Sequence, residues 1–300
     1  MVKKLVTSSN TEKSLLIQTK RLLQRHDLRA RKGLGQHFLV DDEALERIIA
    51  AAELTPSDVV LEVGPGLGVL TEQLAQRAGW VIAIELDDTL AGILRKRLAS
   101  FRNVTIVNED VLKTDPVALL EEQKAKSPAG VDSSRYKVVA NLPYYITSPT
   151  LRHFLEAPLK PELMVLMVQK EVAEEITARP GRMSLLSLSV RLYSEPALVA
   201  IVPAQSFYPA PAVDSAILKI KLFAKPAVAV DIDGFFQVVR AGFRAARKQV
   251  GNSLAQGLEL PKAEAMALLE KADIDSQRRA ETLTLEEWAR LWQIFAGANQ

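Results

Sequence analysis

Seven short runs of apolar, largely β-branched residues punctuate the chain, at 59–64, 81–86, 104–108, 137–142, 163–169, 197–202 and 216–223. Most are separated by stretches in which apolar residues recur every three or four positions, as at Leu90, Ile93, Leu94 and Leu98, the period of a helix with one buried face. Near-continuous apolar strands alternating with such helices predict a mostly parallel sheet covered on both sides. The last two runs have no helix pattern between them and predict an antiparallel hairpin at one edge. Strand signals stop after the loop at 224–228. From Ile232 onward the pattern is helical, with Leu254, Leu258, Leu268, Leu269, Leu283, Trp288, Leu291 and Trp292 as apolar faces. The expected fold class is therefore α/β, a seven-stranded Rossmann-like sheet with a terminal antiparallel hairpin, followed by a small helical domain at 226–300.

Length and composition fit an enzyme of one large and one small domain: 300 residues, 48% hydrophobic and 25% charged. No apolar stretch approaches the ~20 residues of a membrane span, so no membrane association is expected. The chain has no cysteine, and His26, His37 and His153 are scattered, which removes thiolate chemistry and leaves no expected metal site. Charge adds one feature. Through residue 35, nine Lys and Arg face only Glu12 and Asp27, a net +7 in a chain whose total is +2. Residues 1–35 form a basic arm, read either as a solvated tail or as a surface for a polyanion.

"VVLEVGPGLGVLTEQLA" is a strand, a glycine turn and a helix start. Gly64, Gly66 and Gly68 permit positive φ and close approach of a ligand to backbone amides. A dinucleotide fingerprint needs a small residue at 69 or 71, and Val69 and Thr71 stand there. What remains is Glu-x-Gly-x-Gly-x-Gly headed by Glu62, which resembles the first motif of S-adenosylmethionine-dependent methyltransferases. Glu85, at the end of the second strand, is placed to bind ribose hydroxyls. Asp110, after the third, is placed to take the amino group of an adenine.

The fourth strand ends in "NLPYY". An exocyclic adenine amine is a poor nucleophile, because its lone pair is delocalised into the ring. Acceptors on its two N–H groups favour the pyramidal form, and Asn141 Oδ1 with a backbone carbonyl at Leu142 or Pro143 can provide them. Pro143 stiffens the edge. Tyr144 offers a face for an unstacked base, a contact worth ~1–3 kcal/mol.

"KGLGQHFL", "LEVGPGLGVLT", "VIAIELD", "NED", "NLPYYITSP", "VLMVQKEVAEEITARPG", "SFYPAPAVDSAI" and "FRAARKQVGNSL" together resemble the small-subunit rRNA adenine dimethyltransferases, bacterial KsgA type. The resemblance implies transfer of methyl groups from S-adenosylmethionine, leaving S-adenosylhomocysteine, to N6 of two adjacent adenines in the 3′-terminal hairpin loop of small-subunit rRNA. It implies a partner in the immature 30S particle, a late checkpoint in ribosome assembly, a cytoplasmic location and a monomer.

By position, Gln36 and Phe38 would close over the cofactor and Gly64 and Gly66 would line its methionine portion. Glu85 would hold the ribose, Asp110 the adenine, and Asn141 would be the catalytic amide. Tyr144 and Phe207 would flank the target base, with Leu142 and Pro143 beside it. Arg244, Arg247 and Lys248 would meet RNA phosphates, and residues 36–225 would form the methyltransferase domain. Three positions depart from the family pattern: His37 for the usual Asn, Leu185-Leu186 for a Tyr-Gly pair, and Ala210 for a Pro. The competing readings are a macrolide-resistance methylase acting on large-subunit rRNA, an assembly factor without turnover, and a small-molecule methyltransferase.

Overall fold

A computed structural model describes residues 14–28, 31, 33, 35–245 and 247–298. Much of the basic arm, including Lys3, Lys4, Lys13, Arg29 and Lys32, lies outside the described residues. The chain divides into two compact units. One runs through Ala173 and takes in Ala197–Leu222; the other comprises Glu174–Pro196 and the chain from Phe223 onward.

The first unit is built on the strands β1 (Phe38–Leu39), β2 (Val59–Val63), β3 (Trp80–Ile84), β4 (Val104–Val107), β5 (Lys137–Asn141), β6 (Leu163–Gln169), β7 (Ser194–Val202), β8 (Phe207–Tyr208) and β9 (Ser215–Leu222). Seven of them form one sheet in the order β4-β3-β2-β5-β6-β9-β7. The five from β4 to β6 are parallel, and β9 is antiparallel to β6, with β7 outside it at the edge. The expected sheet and edge hairpin are thus present. All five residues of β2 and of β3 are buried, as strands covered on both faces require.

The chain winds from β2 outward to β4 and then returns to place β5 on the other side of β2. That reversal makes the β2/β5 junction the switch point at whose carboxyl edge open α/β sheets bind ligands. β1 and β8 form a separate two-stranded antiparallel pair, Phe38 opposite Tyr208 and Leu39 opposite Phe207.

Helix α1 (Leu15–Arg25) lies within the basic segment and buries Leu15, Thr19 and Leu23, one residue per turn, so this part of the arm is amphipathic and packed. Helices α2 (Asp42–Ala52), α3 (Val69–Ala75), α4 (Asp88–Arg97), α5 (Pro116–Gln123) and α6 (Thr147–Glu156) follow the sheet strands. Asp41, Asp87 and Asp115 cap α2, α4 and α5 by accepting from amides of the first turn, satisfying donors that the helix itself leaves open. The one buried lysine in the sheet, Lys137, gives its ammonium to Ala52 O, Glu53 O and Asp58 Oδ2.

After α7 (Lys170–Thr177), which crosses into it, the second unit contains α8 (Leu185–Tyr193), α9 (Ile232–Phe243), α10 (Val250–Gly257), α11 (Lys262–Lys271) and α12 (Leu285–Ala298). Leu185 and Leu186, which depart from the family pattern, open α8 behind a capping box made by Ser184 and Ser187. Trp288, Phe235, Leu254, Leu269 and Leu283 are buried at its centre. A bidentate Arg278–Glu287 pair, at 2.5 and 3.1 Å, ties the chain before α12 to that helix.

Gly242 faces Trp288 so closely that an added Cβ would lie 2.2 Å from the indole ring. Gly242→Ala gains helix propensity of about 1 kcal/mol, but it overpacks a fully buried ring. A net loss of about 1–2 kcal/mol in urea unfolding of the second unit is expected; unchanged or increased stability would show that Trp288 yields freely.

Candidate active site

One cavity at the carboxyl edge of the sheet is lined by Gln36, Phe38, Gly64, Gly66, Glu85, Asp110, Asn141, Leu142, Pro143, Tyr144 and Phe207. Six separate stretches of sequence supply these residues, and those at the strand ends meet there because the strands end in step. Val63 pairs with Ile84 on one side and Ala140 on the other, so Gly64, Glu85 and Asn141 emerge side by side. Gly64 N and Glu85 N extend the ladder by donating to Ile84 O and Val107 O, both at 2.9 Å.

Gly64, Gly66 and Gly68 have φ of 65°, 57° and 82°, left-handed values that a β-carbon would strain. At Gly66 a β-carbon would also approach the Phe38 ring to 3.3 Å, so glycine keeps the floor of the cavity open beneath Phe38.

The carboxylate of Glu85 is buried and held from two sides, Oε2 accepting from Gly66 N at 3.1 Å and Oε1 from Asp87 N at 3.0 Å. Burial raises its pKa, and these amide bonds offset only part of that rise. Each oxygen keeps a lone pair for a further donor. Asp87 also receives Arg31 at 2.9 Å, while Arg31 N donates to Gln36 Oε1 at 2.9 Å. Gln36 is therefore anchored to the same turn that fixes Glu85. Asp110 accepts from Leu112 N at 3.0 Å, with Lys113 at 3.6 Å from its other oxygen.

Asn141 donates its Nδ2 to His37 O at 3.0 Å. A carbonyl can only accept, so the amide nitrogen is turned toward His37 and Oδ1 stays free to accept. Leu142 N donates to Met167 O at 3.2 Å, and Pro143 O accepts from Ile146 N at 3.1 Å, closing the turn. The Tyr144 hydroxyl bonds Ser215 Oγ at 2.7 Å, and burial pushes its pKa up. Arg244, Arg247 and Lys248 are exposed in the segment after α9, in the second unit. Among the described residues no cluster of three or more His, Asp or Glu is arranged to hold a metal, and no helix is long and apolar enough to cross a membrane.

Two contributors were not singled out by sequence. Arg31 is one of many basic residues in its segment, with nothing to distinguish it. Glu62 was legible only as the head of the glycine motif, yet it is fully buried in β2 and lines a second small cavity with Phe38, Gly64 and Asn141. Among the described residues its Oε2 has no hydrogen-bond partner. Burial above all pushes its pKa up to about 8, the neighbouring Glu85 charge adds to that, and the nearby Thr71 hydroxyl offsets only part of it.

A glycine turn headed by an acid, a buried carboxylate at the next strand end and a sheet ending in an antiparallel hairpin are the features of an S-adenosylmethionine-dependent methyltransferase. The family model for ribosomal RNA adenine dimethylase matches residues 27–296, and the chain belongs to that family. It is 51% identical over 283 residues to "Ribosomal RNA small subunit methyltransferase A" of Dehalococcoides mccartyi, covering 94% of each chain. It is 43% identical to the protein of that name from Bacillus pumilus, covering 94% of this chain and 97% of the other. Among solved structures, 23S rRNA methyltransferase ErmE matches with a TM-score of 0.68 and 31% identity, covering 86% of this chain and 99% of that one. A dimethyladenosine transferase from Plasmodium falciparum matches with 0.73 and 27%, covering 88% and 98%.

The cavity fits this cofactor. Its glycine floor admits a ligand against bare backbone, and Glu85 offers paired acceptors of the kind that vicinal hydroxyls need.

Because Glu62 keeps its proton in the folded protein but loses it near pH 4.5 when unfolded, its burial costs stability increasingly as pH rises from about 4.5 to about 8. Glu62→Gln removes that cost. The variant should be more stable than the parent by about 2–4 kcal/mol near pH 8, with the difference shrinking toward pH 4.5, as read from urea unfolding at both. A difference independent of pH would contradict the assignment.

Proposed function

We propose that the enzyme dimethylates N6 of two adjacent adenines in the 3′-terminal hairpin loop of small-subunit rRNA, acting on the immature 30S particle as a late assembly checkpoint. The observation that carries the mechanism is the amide of Asn141, fixed by His37 O with Oδ1 left free at the switch point.

When bound, S-adenosylmethionine supplies an electrophilic methyl on a sulfonium. Glu85 holds the ribose hydroxyls, Asp110 takes the adenine amino group, Gly64 and Gly66 admit the methionine portion, and Gln36 and Phe38 cover it. Tyr144 and Phe207 flank the target base. Asn141 Oδ1 accepts one N6–H, and a backbone carbonyl accepts the other. Leu142 O is better suited than Pro143 O, which already closes the turn with Ile146. Two such acceptors draw the amine toward the pyramidal form and return its lone pair to nitrogen. The proton leaves after transfer, so no strong base is needed, and no step calls for a metal.

Residues 36–225 carry this chemistry. The basic arm at 1–35 and the helical residues 226–300, through Arg244, Arg247 and Lys248, hold RNA phosphates, which position the substrate without reading its sequence. We place the protein in the cytoplasm as a monomer. The similarity to a 23S rRNA methyltransferase supports a large-subunit target as the second reading. The relatives at 40–51% identity that carry the small-subunit name favour the first.

Asn141→Ala should lower methylation of rRNA by at least about a hundredfold while RNA affinity stays within about twofold, since the amide acts on the transition state and not on docking. Turnover retained in a filter-binding and methyl-transfer pair of assays would remove Asn141 from the chemistry.

A further inference from the structure

The β1–β8 ribbon sorts its side chains by face. Directly opposite residues of an antiparallel pair share a face and successive residues alternate, so Leu39 and Phe207 point one way and Phe38 and Tyr208 the other. The packing agrees: Leu39 and Phe207 belong to the main core, whereas Phe38 packs with Leu23 of α1. Phe38 and Phe207 both line the cavity and are buried. Tyr208 does neither. It is 36% exposed, the one side chain of the ribbon that keeps a large apolar face in solvent.

A cation covers that face. The Lys20 ammonium of α1 lies 5.1 Å from the centre of the Tyr208 ring. Leu15 and Leu23 bury the inner side of α1, and Lys20, Arg21 and Arg25 are exposed on it. An aromatic face therefore stands beside a group of cations, one residue along the strand from Phe207. That pairing suits single-stranded nucleic acid, whose phosphates take the cations while its bases stack on the ring. A protein partner would want an apolar surround, and the exposed neighbours on α1 are charged. A base entering the cavity beside Phe207 leaves the next nucleotide of its strand just outside, where Tyr208 is the adjoining ring. Stacking of a base outweighs an exposed cation–π contact, and the displaced ammonium gains a phosphate in exchange.

Resting on the reading that the substrate is rRNA with two adjacent adenines, we propose that Tyr208 is the stacking platform for the nucleotide next to the target base. Lys20 holds the ring in the free enzyme and passes to that nucleotide's phosphate when the base arrives. The pair acts on how the strand is held at the mouth of the site, so its effect falls on KM for the RNA substrate and not on cofactor binding.

The test compares the parent with Tyr208→Ala, Tyr208→Trp, Tyr208→Leu and Lys20→Met, each in the full chain, on immature small subunits. Tyr208→Ala should raise KM for the subunits by about 5- to 100-fold, as loss of a stacked base does, with Kd for S-adenosylmethionine within about twofold of the parent. Tyr208→Trp should stay within about threefold of the parent, while Tyr208→Leu, apolar but without a π face, should be as poor as Tyr208→Ala. Lys20→Met should reduce the log–log salt slope of subunit binding by about 0.7–0.9, one phosphate contact. Small subunits reconstituted with an abasic ribose in place of one or the other adenine isolate the contact. In at least one of these two substrates Tyr208→Ala should add no further rise in KM. Parental KM in Tyr208→Ala, full recovery with Tyr208→Leu, an unaltered slope in Lys20→Met, or the same Tyr208→Ala penalty on both abasic substrates as on the intact one would each overturn the inference. Absence of product with the parent would instead overturn the rRNA reading on which it rests.

Discussion

The parallel pairing of β2 with β5 sets the position of everything chemical in this protein. The ladder closes at Val63 and Ala140, so the next residues on the two strands, Gly64 and Asn141, leave the sheet together at the point where strand order reverses. A register slip of one residue would turn every side chain of the slipping strand to the opposite face and carry its end out of line with its neighbour's. The full burial of β2 and of the first four residues of β5 makes such a slip expensive, and that expense is what fixes the site. Glu85 and Asp110 enter from the next two strand ends by the same logic, one crossover further out each time.

Around that junction the protein places acids where they are costly. Glu62 and Glu85 are both buried with pKa values raised chiefly by that burial; the Glu85 charge raises Glu62 further, and the Asp87 charge raises Glu85. A site for a cationic cofactor has reason to keep the Glu85 carboxylate: when desolvated it interacts more strongly with an incoming positive charge than an exposed one does. The glycines serve the same end from the other side, leaving amides and open floor where side chains would otherwise fill the cavity.

The sheet was legible in the sequence because its strands are short apolar runs bounded by turns, and the glycine turn because positive φ needs the residue type that stands there. Other features were hidden for identifiable reasons. Counting charge through residue 35 averaged over the faces of α1, whose Leu15, Thr19 and Leu23 point inward while the basic residues point out. Strand β7 begins at Ser194, three residues before its apolar run, since an edge strand can carry Glu195 and Pro196. β1 and β8 are two residues each, too short for any periodicity. The residues singled out for cofactor and base do line one cavity, but sequence could not reveal what holds them. Arg31 on Asp87, Ser215 on Tyr144 and Pro209 on His37 are all long-range partners, and His37 looked incidental because both of its ring partners lie more than 100 residues away.

The central claim is that this site dimethylates adenine N6 in small-subunit rRNA. Its most direct test is to incubate the protein with labelled S-adenosylmethionine and immature small subunits from a methylation-deficient strain, beside large subunits, and to map modified nucleosides by mass spectrometry. N6,N6-dimethyladenosine confined to the 3′-terminal hairpin of the small-subunit rRNA is the predicted result. Product on the large subunit alone, or none on either, would contradict it.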